Sequence, residues 1–336
     1  MARMFTTFLR PVLALAAGSL IAVVCGEFVL SQTSLIDTPP GLFRRSETRA
    51  FEHRPGFTGR DINGNPIRIN SSGLRDRDFQ MEKPEGVYRV FVLGDSVAFG
   101  DGVAAEETFS KRLEEVLSAR GLRVEVLNGG IRGYNTYQEA ILLKEIGLRY
   151  RPDLVLLSYV GNDAEPFSRQ QGLIGNPALR RVKDFLKEHS YLYAFFRKKI
   201  EVMRHRVTPQ QFAETYDEHF KPDHPGWKAS TAALREIREL SRSEGFEFTI
   251  AVFPRLIGLG ENERYPYQML HDQILGAGRD LGVDTFDLLA ALKGRDEDAL
   301  KITPGDYFHP NPAGHRLIAE KLADHLEARY LRGTAR

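Results

Sequence analysis

The chain has 336 residues, and its 46 Lys+Arg against 45 Asp+Glu leave a formal charge of +1, which excludes the broad basic footprint of a nucleic-acid binder. Hydrophobic residues at 42% and charged residues at 27% are ordinary globular values, so a disordered chain is excluded too. One cysteine, Cys25, rules out an intrachain disulfide framework and any Cys-rich metal site.

The first element is apolar. Residues 12–26 (VLALAAGSLIAVVCG) carry no charge, Arg3 and Arg10 precede them, and Glu27 is followed by Phe28-Val29-Leu30. This is the layout of a basic leader and an apolar segment. Fifteen residues are short for a spanning helix of about 20, but counting on through Leu30 makes the length adequate. Three readings stand: an uncleaved signal anchor, a cleaved signal peptide and a buried helix. The first is adopted for residues 1–30, with secretion after cleavage as the alternative. The arginines before the run favour a cytoplasmic N-terminus and an extracytoplasmic remainder, periplasmic or extracellular. Val24 is bulky for a lipobox ahead of Cys25.

Residues 31–85 are rich in Arg, Gly, Pro and Asn and are expected to form a stalk passing into short strands and turns, with Asn63-Gly64 a tight turn and the basic residues solvated. From residue 86 strands and helices alternate. Residues 87–93 (VYRVFVL) predict a strand ending in Gly94-Asp95-Ser96. Residues 106–120 predict a helix with Phe109, Leu113, Val116 and Leu117 on one face, stopped by Gly121. A second strand, 124–127, leads into Asn128-Gly-Gly-Ile-Arg-Gly133, and a helix is expected over 136–150. The apolar run 154–160 suits a strand buried on both faces and ends in Gly161-Asn162-Asp163.

Residues 165–226 read as an insertion, with one helix marked by Leu179, Val182, Phe185 and Leu186 and an aromatic patch at 191–196. It is expected either to pack on the sheet or to form a wall of the substrate cleft. Helix 228–244, strands 248–253 and 283–286, and a last helix from about Pro312 to Tyr330 complete the pattern. Five strands alternating with helices imply right-handed crossovers and one doubly wound α/β domain with a mostly parallel sheet. Ligands of such sheets sit beyond the carboxyl ends of the strands, where Ser96, Gly133 and Asn162 all fall.

A serine hydrolase needs a nucleophile, a base, a carboxylate that orients the base, and donors for the oxyanion. Ser96 stands at a sharp strand exit. Asp306 and His309 are three residues apart in one turn and can both face the same cleft, leaving one imidazole nitrogen free as a base. Candidate oxyanion donors are the backbone N–H groups of Ser96 and Gly133 and the side-chain amide of Asn162. Each residue also has a plain structural reading: Gly-Asp-Ser as a helix cap, Asp306 in the Pro304-Gly305 turn, Asn162 as a turn residue. His315 is read as structural.

Gly94-Asp95-Ser96, Gly133 five residues after Asn128, Gly161-Asn162-Asp163 and Asp306-x2-His309 occur in that order, and together they resemble the SGNH (GDSL-like) hydrolase superfamily. Gly129 and Gly130 are alternatives for the second block, and Val97 stands where the family name has leucine. The resemblance implies a three-layer α/β/α flavodoxin-like fold without metal or cofactor over 86–332. It also implies Ser96 as nucleophile, His309 as base, Asp306 as its partner, and Ser96, Gly133 and Asn162 as the oxyanion hole.

The expected activity is serine-dependent hydrolysis of an extracytoplasmic ester, such as an acetylated carbohydrate or a lipid ester, or acyl transfer through the same acyl-enzyme. The rival from another class is a catalytically silent envelope polysaccharide-binding or scaffold protein. A metallohydrolase built on His219, Asp223 and His224 is the weakest reading, since their spacing matches no ligand motif.

Overall fold

The computed structural model describes residues 2–33, 35–36, 38–165, 177–204 and 217–331. Its first element, α1 (Ala2–Ser31), includes a stretch, Pro11–Ser31, with mean hydropathy 2.2, long and apolar enough to cross a membrane. Residues 11–25 are exposed throughout, so the buried-helix reading does not hold; contact with the rest of the protein starts at Gly26 and Glu27.

Two short antiparallel hairpins follow: β1 (Phe43–Ser46) with β2 (Ala50–His53), and β3 (Thr58–Arg60) with β4 (Pro66–Arg68). The second closes through residues 61–65, where Asp61 Oδ1 accepts from the backbone N–H groups of Asn63 (2.9 Å) and Asn65 (2.8 Å). These hairpins do not stand off as a stalk. Leu42, Ile67 and Ile69 bury themselves against Phe99. Nor is every basic residue here solvated: Arg49 and Arg75 are buried. Arg75 donates to the carbonyls of Phe99 (3.0 Å), Gly100 (2.7 Å), Val103 (2.8 Å) and Pro66 (3.2 Å). A lone buried guanidinium would be costly; four carbonyl acceptors offset its desolvation.

The sheet contains β5 (Tyr88–Gly94), β6 (Val124–Gly130), β7 (Leu154–Tyr159), β8 (Glu247–Val252) and β9 (Asp284–Asp287). Its order is β6-β5-β7-β8-β9 with every pair parallel. The helices after α1 are α2 (Ser96–Phe99), α3 (Phe109–Ala119), α4 (Thr136–Glu145), α5 (Pro177–His189), α6 (Tyr191–Arg204), α7 (Pro225–Glu244), α8 (Gln268–Leu281), α9 (Leu288–Leu292) and α10 (Pro312–Leu326). Right-handed crossovers put α3 on one face and α4, α7 and α8 on the other. α10 packs beside α3, and α4 beside α7. The result is the expected three-layer α/β/α arrangement. β7, with all six residues buried, needs no alternation because both of its faces are covered. α3 starts at Thr108, whose hydroxyl accepts from Lys111 N at 3.4 Å, and it buries Phe109, Leu113 and Leu117 at four-residue spacing.

Two expectations shift. The helix expected over 136–150 ends at Glu145, and a 3-10 turn, Gly147–Tyr150, follows. A Cβ on Gly147 would lie 2.8 Å from Leu143 Cδ1 and 3.2 Å from Phe91, so the chain tightens where only glycine fits and brings Tyr150 onto Phe91. Of the insertion, residues 166–176 and 205–216 lie outside the described residues; the part between them forms α5 and α6, and α6 packs on the end of α1, with Gly26 against Leu192.

Candidate active site

The site lies beyond the carboxyl end of β5, which leads its chain off to the face of α3 while its neighbours β6 and β7 lead theirs to the opposite face. β5 ends at Gly94, which has no room for a side chain: a Cβ there would come within 2.7 Å of Ala98 Cβ and 3.0 Å of Ser158 Cβ. Asp95 then caps α2, accepting from Val97 N at 2.9 Å, and Ser96 is the first helical residue.

His309 Nε2 is 3.0 Å from Ser96 Oγ, and His309 Nδ1 is 2.9 Å from Asp306 Oδ2. With Nδ1–H donating to the carboxylate, Nε2 carries the lone pair that accepts from the serine hydroxyl. The other Asp306 oxygen accepts from the backbone N–H groups of Phe308 (2.8 Å) and His309 (3.0 Å), so the turn holds the carboxylate in place. Burial would raise the Asp306 carboxyl, but its bonds from His309 and these amides outweigh that and hold it below the usual range. Burial alone would lower His309. The bond to Asp306 and the charges of Asp101, Asp306 and Asp95 win, and its pKa rises above the ordinary 6.5.

Asn162 lies in the 3-10 turn Gly161–Ala164 after β7, and its Nδ2 donates to Asp95 Oδ2 (2.9 Å) and to the Tyr134 carbonyl (3.3 Å). Asp95 Oδ2 is 3.4 Å from Ser96 Oγ, so one carboxylate links the two. Gly133 follows β6, whose Gly130 is paired with Gly94, and Ile131 N donates to the Gly94 carbonyl at 3.0 Å. At Gly133 φ is 78°, the left-handed region that favours glycine. Gly129 and Gly130 lie within the strand, and a Cβ on Gly130 would sit 2.2 Å from Phe99 N. Gly130 serves close packing under α2, and Gly129 makes room for Phe91 and the Val92 carbonyl of β5. The positive-φ turn belongs to Gly133.

Ser96, His309 and Asp306 are thus joined by hydrogen bonds, Asn162 joins them through Asp95, and Gly133 comes from the neighbouring strand's loop. His315 is elsewhere, buried, with Nδ1 accepting from Phe109 N at 3.1 Å; burial pushes it down to about 3. His224 caps α7, accepting from Gly226 N at 3.2 Å, with the His219 ring 4.9 Å away, and Asp223 lies 3.5 Å from Lys228. Among the described residues no three His, Cys, Asp or Glu side chains gather as a metal site would.

Sequence reasoning passed over several acids around this site. Asp101 Oδ2 stands 3.8 Å from His309 Nε2 and is gripped by Arg132 Nε at 2.8 Å. Asp163, next to Asn162, accepts from Thr136 Oγ1 (2.8 Å) and Val160 N (2.7 Å). Beside it lies the fully buried Glu139. Burial raises both carboxyls, Asp163 to about 8 and Glu139 well above the usual range. The signal for Glu139 was its place on the buried stripe of α4, beside Ala140 and Leu143 and one turn from Thr136.

Residues 92–317 match the GDSL-like lipase/acylhydrolase family. The chain belongs to that family. The match takes in Ser96, Gly133, Asn162, Asp306 and His309 and all of the sheet except part of β5. An arylesterase of Vibrio mimicus is 28% identical over 137 residues, covering 41% of this chain and 64% of that protein, so the chain spans a little under two thirds of that relative's length. Among solved structures, the psychrotrophic esterase EstA from Pseudoalteromonas sp. is similar at 15% identity and TM-score 0.45, covering 73% of this chain and 99% of that one. The acetyl xylan esterase AlAXEase is similar at 18% identity and TM-score 0.41, covering 71% and 99%.

Proposed function

We propose that this GDSL-family chain is a serine-dependent ester hydrolase with Ser96 as nucleophile, His309 as base and Asp306 as the carboxylate that orients it. The observation that carries the reading is the unbroken hydrogen-bond chain Asp306–His309–Ser96, at 2.9 and 3.0 Å. His309 takes the hydroxyl proton as Ser96 Oγ attacks the ester carbonyl, and Asp306 stabilises the imidazolium that forms. The oxyanion receives hydrogen bonds from the backbone N–H groups of Ser96 and Gly133 and from the Asn162 amide, which turns from Asp95 or Tyr134 towards the new charge. His309 then gives its proton to the leaving alkoxide, and the alcohol departs. Water, deprotonated by His309, attacks the acyl-Ser96 ester and releases the acid.

The printed activity of the Vibrio relative, an arylesterase, supports ester cleavage as the reaction class. We place the substrate outside the cytoplasm, as an acyl ester of a carbohydrate or lipid, with α1 as a retained anchor. Two features support this placement: Arg3 and Arg10 precede the apolar span, and Glu27 accepts hydrogen bonds from Tyr191 N (2.7 Å) and from the Ser190 hydroxyl. Cleavage that removed Glu27 would strip those donors of their acceptor.

The test uses the full-length protein in detergent. A fluorophosphonate should label the wild type and not Ser96→Ala, and ester hydrolysis by the variant should fall by about three orders of magnitude or more. Undiminished turnover by folded Ser96→Ala sinks the assignment. A series of acyl esters of graded chain length then identifies the acyl group.

A further inference from the structure

We propose that the α5–α6 hairpin is a second membrane contact, its exposed apolar and basic side chains entering the headgroup layer of the bilayer that α1 spans, so that the α/β domain rests directly on the lipid surface. The inference rests on α1 being a retained span.

The position of the hairpin follows from its joint with α1. The Glu27 carboxylate accepts from Tyr191 N at 2.7 Å, from Leu192 N at 3.4 Å and from the Ser190 hydroxyl, making it the N-terminal cap of α6 supplied by another helix. Glu27 lies four residues before Ser31, where α1 ends, which is about 6 Å along the helix axis. Among the described residues, nothing covers the fifteen residues before Gly26 on the apolar span, and cover starts at the hairpin. Its turn therefore lies at the depth where the span leaves the hydrocarbon. Arg54 adds a second tie, with Nη2 2.8 Å from Glu188.

The surface of the hairpin suits that depth. On α5, Val182 is 56% exposed and Phe185 61%; on α6, Phe196 is 57% exposed and Ile200 43%. Spacings of three and four residues put each pair on one face of its helix. Outside α1 and this hairpin, the only other exposed large hydrophobic side chains among the described residues are Leu35, Ile62, Met81 and Tyr137. Leu35 itself lies just past the end of α1.

Charge points the same way. Residues 177–204 contain eight Lys and Arg against three Asp and Glu, whereas the rest of the chain contains 38 against 42. Arg181, Lys187, Arg197 and Lys199 are exposed. Exposed Phe, Val and Ile interleaved with basic residues form an interfacial helix surface, and its excess positive charge matches anionic headgroups.

The experiment puts full-length protein into vesicles of zwitterionic and anionic lipid with brominated acyl chains, which quench tryptophan on contact. Wild type has one tryptophan, Trp227, on α7 and buried against Phe220, and it sets the background. Added reporters are Phe185→Trp and Phe196→Trp on the hairpin, Val182→Trp as an independent hairpin site, Ile62→Trp on the lead-in and Val23→Trp in the span. The hairpin reporters should be quenched at least about twofold more than Ile62→Trp, and less so when the anionic lipid is left out. If Val23→Trp is quenched while all three hairpin reporters behave like Ile62→Trp, the hairpin faces water or a protein partner and the inference is overturned with the anchor intact. If Val23→Trp is not quenched, both fail.

Discussion

His309 Nε2 lies 3.0 Å from Ser96 Oγ although 213 residues of chain separate them. The parallel sheet makes this contact. Ser96 is delivered by the exit of β5, near the middle of the sheet, and His309 by the loop that runs back from beyond β9 to start α10. That loop is braced: His309's carbonyl accepts from Ile302 N at 3.0 Å, and Asn311 caps α10 by accepting from Gly314 N at 3.0 Å. The histidine is thus held two residues before the cap of a helix, a position with little freedom to drift from the serine.

The first expected outcome concerns pH. His309 must be neutral to accept the serine proton, and its pKa is raised above the ordinary 6.5, so kcat/KM should fall as pH drops through a value above 6.5. Asp306→Asn removes both a hydrogen bond and a charge that raise it. The acid limb should move to lower pH while the plateau falls by about three to four orders of magnitude. A pH–rate profile of both proteins on one soluble ester decides it; an unmoved limb would mean that His309 is not the titrating base.

The alternation of strand and helix made the sheet legible, because each buried strand and each amphipathic helix carries its own period. Ser96, Gly133 and Asn162 follow strand exits, which the parallel fold brings to one edge, and Asp306 and His309 share one short turn before a helix. What stayed hidden depends on distant partners. Arg75 reads as a solvated base because nothing in its neighbourhood announces the carbonyls 24 to 28 residues on that surround it. The aromatic patch at 191–196 likewise gave no sign of its neighbour, which is α1.

Asn162 should contribute mainly in the transition state. Its amide donates to Asp95 and Tyr134 in the resting site, so redirecting it to an oxyanion exchanges one hydrogen bond for a stronger one. Asn162→Ala is expected to lower kcat by about two to three orders of magnitude with little change in KM. Steady-state kinetics separate this from a binding defect, which would raise KM and spare kcat.

Arg75 ties the lead-in to the loop after the serine through the carbonyls of Phe99, Gly100 and Val103. Arg75→Met keeps much of the stem but leaves buried acceptors without a donor. Denaturant unfolding should show a loss of about 3 kcal/mol or more. Because those carbonyls belong to the turn just beyond α2, ester hydrolysis should also fall at temperatures where the variant remains folded.

Glu139 and Asp163 form a buried acid pair behind Asn162. Asp163 receives donors from Thr136 and Val160 that favour its charged form, whereas burial and the charges of Asp163 and Asp95 raise Glu139, so Glu139 is the member of the pair that keeps its proton. A carboxyl whose folded pKa lies above its unfolded value holds a proton that the unfolded chain has released. Stability therefore falls with rising pH, from the unfolded value near 4.5 up towards the folded one, by about 1.4 kcal/mol per pH unit for each such group. Glu139→Gln keeps the shape and a donor towards Asp163 but cannot ionise. Thermal unfolding of the variant should lose much of that decline, with the gain over wild type growing as pH rises above the unfolded value near 4.5. Equal pH dependence in the two proteins would show that Glu139 is ionised in the folded state.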